Sequence, residues 1–277
     1  MTKVIKKKFK PSEPISQMPT IVCNWKMNLD LKTSVRLARG LANSASVYFK
    51  KCQIVVAPTF TALDRVGKEI KNSDIKLCSQ DVFWEAKGNF TGEVSPEQLR
   101  ELGCDWVIIG HSERRQHIGE TDEMVDRKIT SALRHGFTPI ICVGETREQH
   151  SSGNSESTVV NQVRSALRYV GSFLLKQKVF IAYEPVWSLY PGLPCEPENA
   201  ETMAMVIHRT LIDQYGAREA NTKFSIIYGG SVSQENIKSY LDKDEISGVL
   251  VGHDSLDVVS LTKLIREASR SKKCFVK

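Results

Sequence analysis

Eight short runs of apolar and β-branched residues punctuate this 277-residue chain, at Thr20 to Cys23, Gln53 to Ala57, Ile75 to Cys78, Trp106 to Ile109, Thr138 to Val143, Val179 to Ala182, Phe224 to Tyr228 and Gly248 to Val251. Most are apolar throughout and do not alternate with polar residues, so strands built from them are covered on both faces. The segments between them carry one-sided helical stripes. Val35, Ala38, Leu41 with Ala42, and Ala45 form one; Met124 with Val125, Ile129, and Ala132 with Leu133, another; Val159 with Val160, Val163, Leu167 and Val170, a third; Ala200, Met203 with Ala204, Ile207 and Leu211, a fourth. Pro197 suits a first helical turn, and Gly216 suits the end of the same helix. Strands buried on both faces and separated by helices with one apolar side describe a parallel α/β sheet. Eight such units in a single domain close most simply into a (β/α)8 barrel. An open doubly wound sheet is the alternative, but no G-x-G-x-x-G follows the first strand to support dinucleotide binding.

Composition sets the boundaries of that domain. The first nineteen residues hold five lysines against one glutamate, which accounts for four of the six net positive charges. They lack the apolar core of a secretory signal and read as a basic, disordered tail. The barrel is expected over 20–270 and a short C-terminal tail over 271–277. The tail has no aromatic interleaving or apolar helical face, which argues against a nucleic-acid or membrane partner. No apolar run approaches membrane length. Seven cysteines without a C-x-x-C pair suit a reducing cytoplasmic setting better than a disulfide framework.

In a barrel of this kind the chemistry sits where strands end. The first run leads into Asn24 and Lys26, an amide and a cation that would share one side of the chain and suit an anionic substrate. The fourth leads through Gly110 into His111, Ser112 and Glu113. Amides of a helical turn starting there would hold one ring nitrogen of His111 and keep the imidazole neutral, a donor rather than a cation. Lys26 and Glu113 could then pair across the mouth. The sixth run ends on Glu184, followed at once by proline and a long loop. Lost solvation there makes a carboxylate a stronger base, although a glutamate ending a strand can also simply face water. Gly229, Gly230 and Ser231 after the seventh run, and Gly252 and His253 after the eighth, could offer backbone amides to a phosphate; they could equally be tight turns.

In order, and nearly one per strand end, the chain carries NWKMN from Asn24, FTGE from Phe90, IIGHSERR from Ile108, CVGE from Cys142, AYEPVW from Ala182 and YGGSV from Tyr228. This set closely resembles the triosephosphate isomerase family over about residues 19–270. The resemblance implies the TIM barrel, with Glu184 as the base that moves a proton between two carbons of a phosphorylated triose. His111 would be the neutral electrophile; Lys26 and Asn24 would stabilise enediolate charge, with Glu113 beside them. No cofactor or metal is implied. The phosphate would meet Tyr190, Gly230, Ser231, Gly252 and His253, under a lid latched by Trp187, Gly192 and Tyr228. The lid departs from the family at Ser188 to Leu193, where Tyr190 stands in place of a glycine. That departure motivates an alternative, a relative acting on a four-carbon ketose phosphate such as erythrulose phosphate. A phosphate-binding scaffold without catalysis is the third reading. The family resemblance also implies a homodimer, in which the loop Gln80 to Glu93 inserts into a second copy. Thr91 would approach the partner's Asn24 and Lys26, and Glu93 would pair with the partner's Arg114.

Overall fold

The computed structural model describes residues 18–48, 50–189 and 194–274. Most of the expected basic tail, residues 1–17, lies outside the described residues, as do Tyr190, Gly192 and their neighbours in the lid. The strands are β1 (Thr20–Asn24), β2 (Gln53–Ala57), β3 (Lys76–Ser79), β4 (Trp106–Ile109), β5 (Thr138–Val143), β6 (Val179–Tyr183), β7 (Phe224–Tyr228) and β8 (Gly248–Val251). All pairings are parallel, each strand beside its sequence neighbours, and β8 returns to β1 with Thr20 opposite Gly248, closing the barrel.

The apolar runs become intelligible once both faces are counted. Val22, Val55, Ile108, Ile140, Ala182 and Leu250 point into the barrel with Trp106 and Phe180, whose rings lie 4.8 Å apart. Their neighbours Ile21, Cys23, Val107, Ile109 and Ile141 point outward into a larger core shared with the helices. A strand with period-two geometry and apolar partners on both sides needs apolar residues at every position. The helices bury the expected stripes, with two adjustments. Leu37 is buried in Leu31–Ser44 whereas Val35 is only half-covered, and Met124 at the start of Asp122–Arg134 is exposed. Pro197 opens the helix Pro197–Tyr215, and Gly216 follows it with φ of +83°.

The packed body runs beyond 270, where the barrel was expected to end. Ser271 is fully buried, Lys272–Cys274 form a 3-10 turn, and the Lys272 amide donates to Asp242 Oδ1 at 2.8 Å. These contacts tie the start of the expected C-terminal tail to the bottom of the barrel. Among the described residues no helix is long and apolar enough to cross a membrane.

Candidate active site

The mouth is assembled by three strand ends. At the end of β1, Asn24 Oδ1 accepts from the Lys26 amide at 3.0 Å. Lys26 has φ of +50°, the one non-glycine residue with positive φ among the described residues, a conformation that costs a side-chain-bearing residue about 1 kcal/mol. Gln80 holds it there by donating to the carbonyls of Lys26 and Ala57, both at 2.9 Å. The lysine ammonium then reaches Glu113 Oε1 at 2.5 Å, the ion pair across the mouth that the sequence suggested.

His111 caps the helix Ser112–Ile118. Its Nδ1 accepts from the Glu113 amide at 3.2 Å, so the proton of a neutral ring is on Nε2. That Nε2 faces Glu184 Oε1 at 3.3 Å. Glu184 is 2% exposed, and its other oxygen accepts from the Ser112 amide at 3.1 Å. Oε1 itself has no hydrogen-bond partner among the described residues. A buried carboxylate oxygen left without a hydrogen bond is costly to maintain and is the natural place for a proton to arrive.

Two glycines let β6 deliver Glu184 this closely. A Cβ on Gly144 would lie 1.8 Å from the Glu184 carbonyl oxygen, and one on Gly229 would lie 2.8 Å from Glu184 Cγ. Beside the carboxylate a cavity of about 230 Å³ is lined by Gly110, Ser112, Cys142, Gly144 and Val186. Burial first, and then the charge of Glu184, push the Cys142 thiol well above its usual range, so it stands there as a neutral apolar wall.

The glycines after β7 and β8 behave differently from the simplest expectation. Gly229, Gly230 and Gly252 do not have positive φ, so they are not there to permit left-handed turns. A Cβ on Gly230 would strike the Tyr228 hydroxyl at 2.1 Å, whereas one on Gly252 would make only an ordinary 3.4 Å contact with Lys26 Cε. No α-helix directly follows either pair of strand-end residues. Beyond β8 there is a single 3-10 turn, His253–Ser255, and beyond β7 the next helix starts only at Ile237. His253 is exposed and Ser231 half-buried, while Gly252 adjoins Lys26 and Gly229 adjoins Glu184.

The lid begins in the 3-10 turn Val186–Ser188. Trp187 Nε1 donates to the buried Glu145 at 2.7 Å, and Tyr183 Oη donates to the same oxygen at 3.1 Å. His150 stacks on the Trp187 indole with ring centroids 4.3 Å apart, a contact between distant elements with no local sequence signal. Tyr228 stacks on Tyr240 at 4.1 Å. Gly192 and Tyr190, expected in the latch and the phosphate site, lie outside the described residues.

Behind the mouth lies a charge cluster. Lys128, 3% exposed, donates to both oxygens of Asp81 at 2.7 and 2.9 Å and also to Glu120. Arg114 joins both acids, Nη2 at 2.9 Å from Asp81 and Nε at 3.0 Å from Glu120. Burial pushes the Asp81 carboxyl above its usual range, with Lys128 and Arg114 pulling it back. In the adjoining loop Val82 and Phe83 are buried within their own chain, so part of its apolar content is a local plug. Phe90 is 44% exposed, and Thr91 and Glu93 are exposed with it.

A (β/α)8 barrel with a buried carboxylate, a histidine donor and a lysine ammonium at its strand ends belongs among the barrel enzymes that can shift protons beside an anion. Its sequence relatives narrow that class. The triosephosphate isomerase family model matches residues 19–268. Triosephosphate isomerase of Thermoanaerobacter pseudethanolicus is 41% identical over 247 residues, covering 89% of this chain and 98% of the relative. Those of Endomicrobium trichonymphae and Chloroflexus aurantiacus are also 41% identical, over 250 and 249 residues, each covering 90% of this chain and 98% of the relative. The chain belongs to the triosephosphate isomerase family.

Proposed function

We propose that this chain interconverts dihydroxyacetone phosphate and D-glyceraldehyde 3-phosphate, with Glu184 as the base. The observation that carries the reading is Glu184 Oε1, buried, without a hydrogen bond and 3.3 Å from His111 Nε2. A substrate carbonyl placed between Lys26 and His111 would take the Nε2 hydrogen and leave Oε1 free to receive a carbon-bound proton. The enediolate oxygen then meets His111 Nε2–H, the Lys26 ammonium and Asn24, donors already held in place before the charge develops. The same carboxylate returns the proton to the neighbouring carbon, so the reaction asks for no cofactor or metal. Glu113 keeps the Lys26 head at the mouth.

The phosphate would lie against the backbone at Gly230, Ser231, Gly252 and His253, within reach of the Lys26 charge. Trp187, Tyr228 and Gly192 would latch a lid carrying Tyr190 over it. An enediolate next to a phosphate can expel that phosphate, and closure against water suppresses the loss. The departures that motivated a four-carbon substrate fall largely at residues 190–193, and the family membership favours the triose. Steady-state assays with both triose phosphates test the proposal. Glu184→Gln is expected to lower kcat by about 10³-fold, and a variant as active as wild type would remove Glu184 as base.

We also propose a homodimer through the loop Gln80 to Glu93, supported by the exposure of Phe90, Thr91 and Glu93 beside a locally packed loop base. Light scattering at micromolar concentration is expected to give twice the 31.1 kDa chain mass, and a monomer there would end the dimer reading. A cytoplasmic location fits the cysteine usage.

A further inference from the structure

The cysteines divide into two groups. Cys23, Cys78, Cys104, Cys142 and Cys195 are buried, and burial raises each of their thiols, those of Cys23, Cys104 and Cys195 to about 12. Such thiols are shielded from oxidants and carry almost no thiolate at neutral pH. Cys52 and Cys274 are different because they meet each other. Cys52 lies just before β2 and is 1% exposed. Cys274 closes the turn Lys272–Cys274, is partly exposed and packs against the core that contains Cys52. Cys274 Sγ lies 3.4 Å from the carbonyl of Lys51, the residue preceding Cys52, which brings the two cysteines to the same spot at the edge of the core.

We infer that Cys52 and Cys274 are a dithiol that a small-molecule disulfide oxidises to an intrachain disulfide, clasping the C-terminal turn to the base of β2. As a thiol, Cys274 can give its hydrogen to the Lys51 or Ala268 carbonyl, at 3.4 and 3.5 Å. As a thiolate it can accept from Ser271 Oγ at 3.5 Å. Contact with Cys52, ahead of Ser271 and the Lys51 charge, draws the Cys274 thiol below its usual range, while Cys52 is pushed up by the same contact and by burial. Cys274, which solvent reaches, is the attacking sulfur, and the buried Cys52 the resolving one.

The exchange balances in two steps. The Cys274 thiolate attacks one sulfur of the small disulfide, that S–S bond breaks, and one thiolate leaves. Cys52 then loses its proton and attacks the Cys274 sulfur, displacing the second small thiolate. The protein pair is oxidised by two electrons and the small disulfide is reduced to two thiols. The clasp encloses nearly the whole barrel, roughly 220 residues, and crosslinks over long loops restrict the unfolded chain most. It sits at the amino ends of the strands, on the face opposite Glu184, His111 and Lys26. It should therefore change stability and leave turnover alone.

The test uses the full-length reduced protein with oxidised glutathione as the probe. Non-reducing peptide mapping is expected to find one crosslinked pair carrying Cys52 and Cys274, an intact mass lower by two hydrogens and no retained glutathione. The Tm should rise by about 5–10 °C, with kcat/KM changed less than about two-fold. Cys52→Ser should leave glutathione trapped on Cys274, and Cys274→Ser should abolish reaction. A glutathione adduct that persists on wild-type Cys274, a crosslink between two chains through Cys274, or an unmodified wild-type protein would each overturn the inference. The wild-type map decides the matter even if a variant fails to fold.

Discussion

Both ring nitrogens of His208 face oxygens, Nδ1 at 2.9 Å from Glu245 Oε2 and Nε2 at 2.8 Å from Asn221 Oδ1, an arrangement that the doubly protonated ring satisfies. The Glu245 hydrogen bond raises His208 above its ordinary 6.5, and the same bond lowers Glu245 below its ordinary 4.5. A raised histidine stabilises the fold fully below its unfolded value and loses that contribution as pH climbs through the folded one. A lowered carboxylate stabilises fully above its unfolded value and loses that as pH falls through the folded one. The two contributions coexist between the ordinary values of 4.5 and 6.5. His208→Ala should therefore cost most near the middle of that window, about 1 kcal/mol for this partly exposed pair, and the cost should shrink by pH 8. Urea unfolding at several pH values measures it, and a cost that does not vary with pH would sink the assignment. The same residue marks a limit of sequence reading. Asn24, Lys26, His111 and Glu184 were legible because each stands directly after an apolar run. His208 and His150 were not, because Glu245 and Trp187 reach them from distant elements and leave no local pattern.

At the scale of elements, the strand ends were readable to within a residue because β-strands buried on both faces leave an unbroken apolar signature. The connections were less so. Whether β8 is followed by a helix or a single 3-10 turn depends on how Ser255 is used, and here its hydroxyl donates to the Gly252 carbonyl at 2.6 Å. The C-terminal turn was hidden for a similar reason, since its anchors, Asp242 and the Lys51 carbonyl, are far away in sequence. The junction between β5 and β6 is the element on which the carboxylate depends. Gly144→Ala would push a methyl into the Glu184 carbonyl, so β5 and β6 must part at the mouth. We expect a stability loss of about 2 kcal/mol or more and a fall in kcat larger than any change in KM. A crystal structure of the variant with Glu184 unmoved and normal turnover would contradict this.

Across the whole molecule, the cluster of Asp81, Glu120, Lys128 and Arg114 connects the mouth to the proposed dimer loop. Arg114 already spends Nη2 on Asp81, so a carboxylate from a second copy must compete for it. Asp81→Asn removes the competitor and leaves two cations against Glu120, which should tighten the dimer by about five-fold in Kd, a gain of roughly 1 kcal/mol. Sedimentation equilibrium of both proteins at equal salt reads this out, and an unchanged or weaker dimer would refute it. The barrel itself carries a consequence for how the molecule is made. Because β1 is bracketed by β2 and β8, the first strand to leave the ribosome keeps one bare edge until the last strand arrives. The sheet cannot be sealed while synthesis is under way, so a nascent chain halted before Val251 would expose two open edges, and such chains are the ones that need a chaperone's protection.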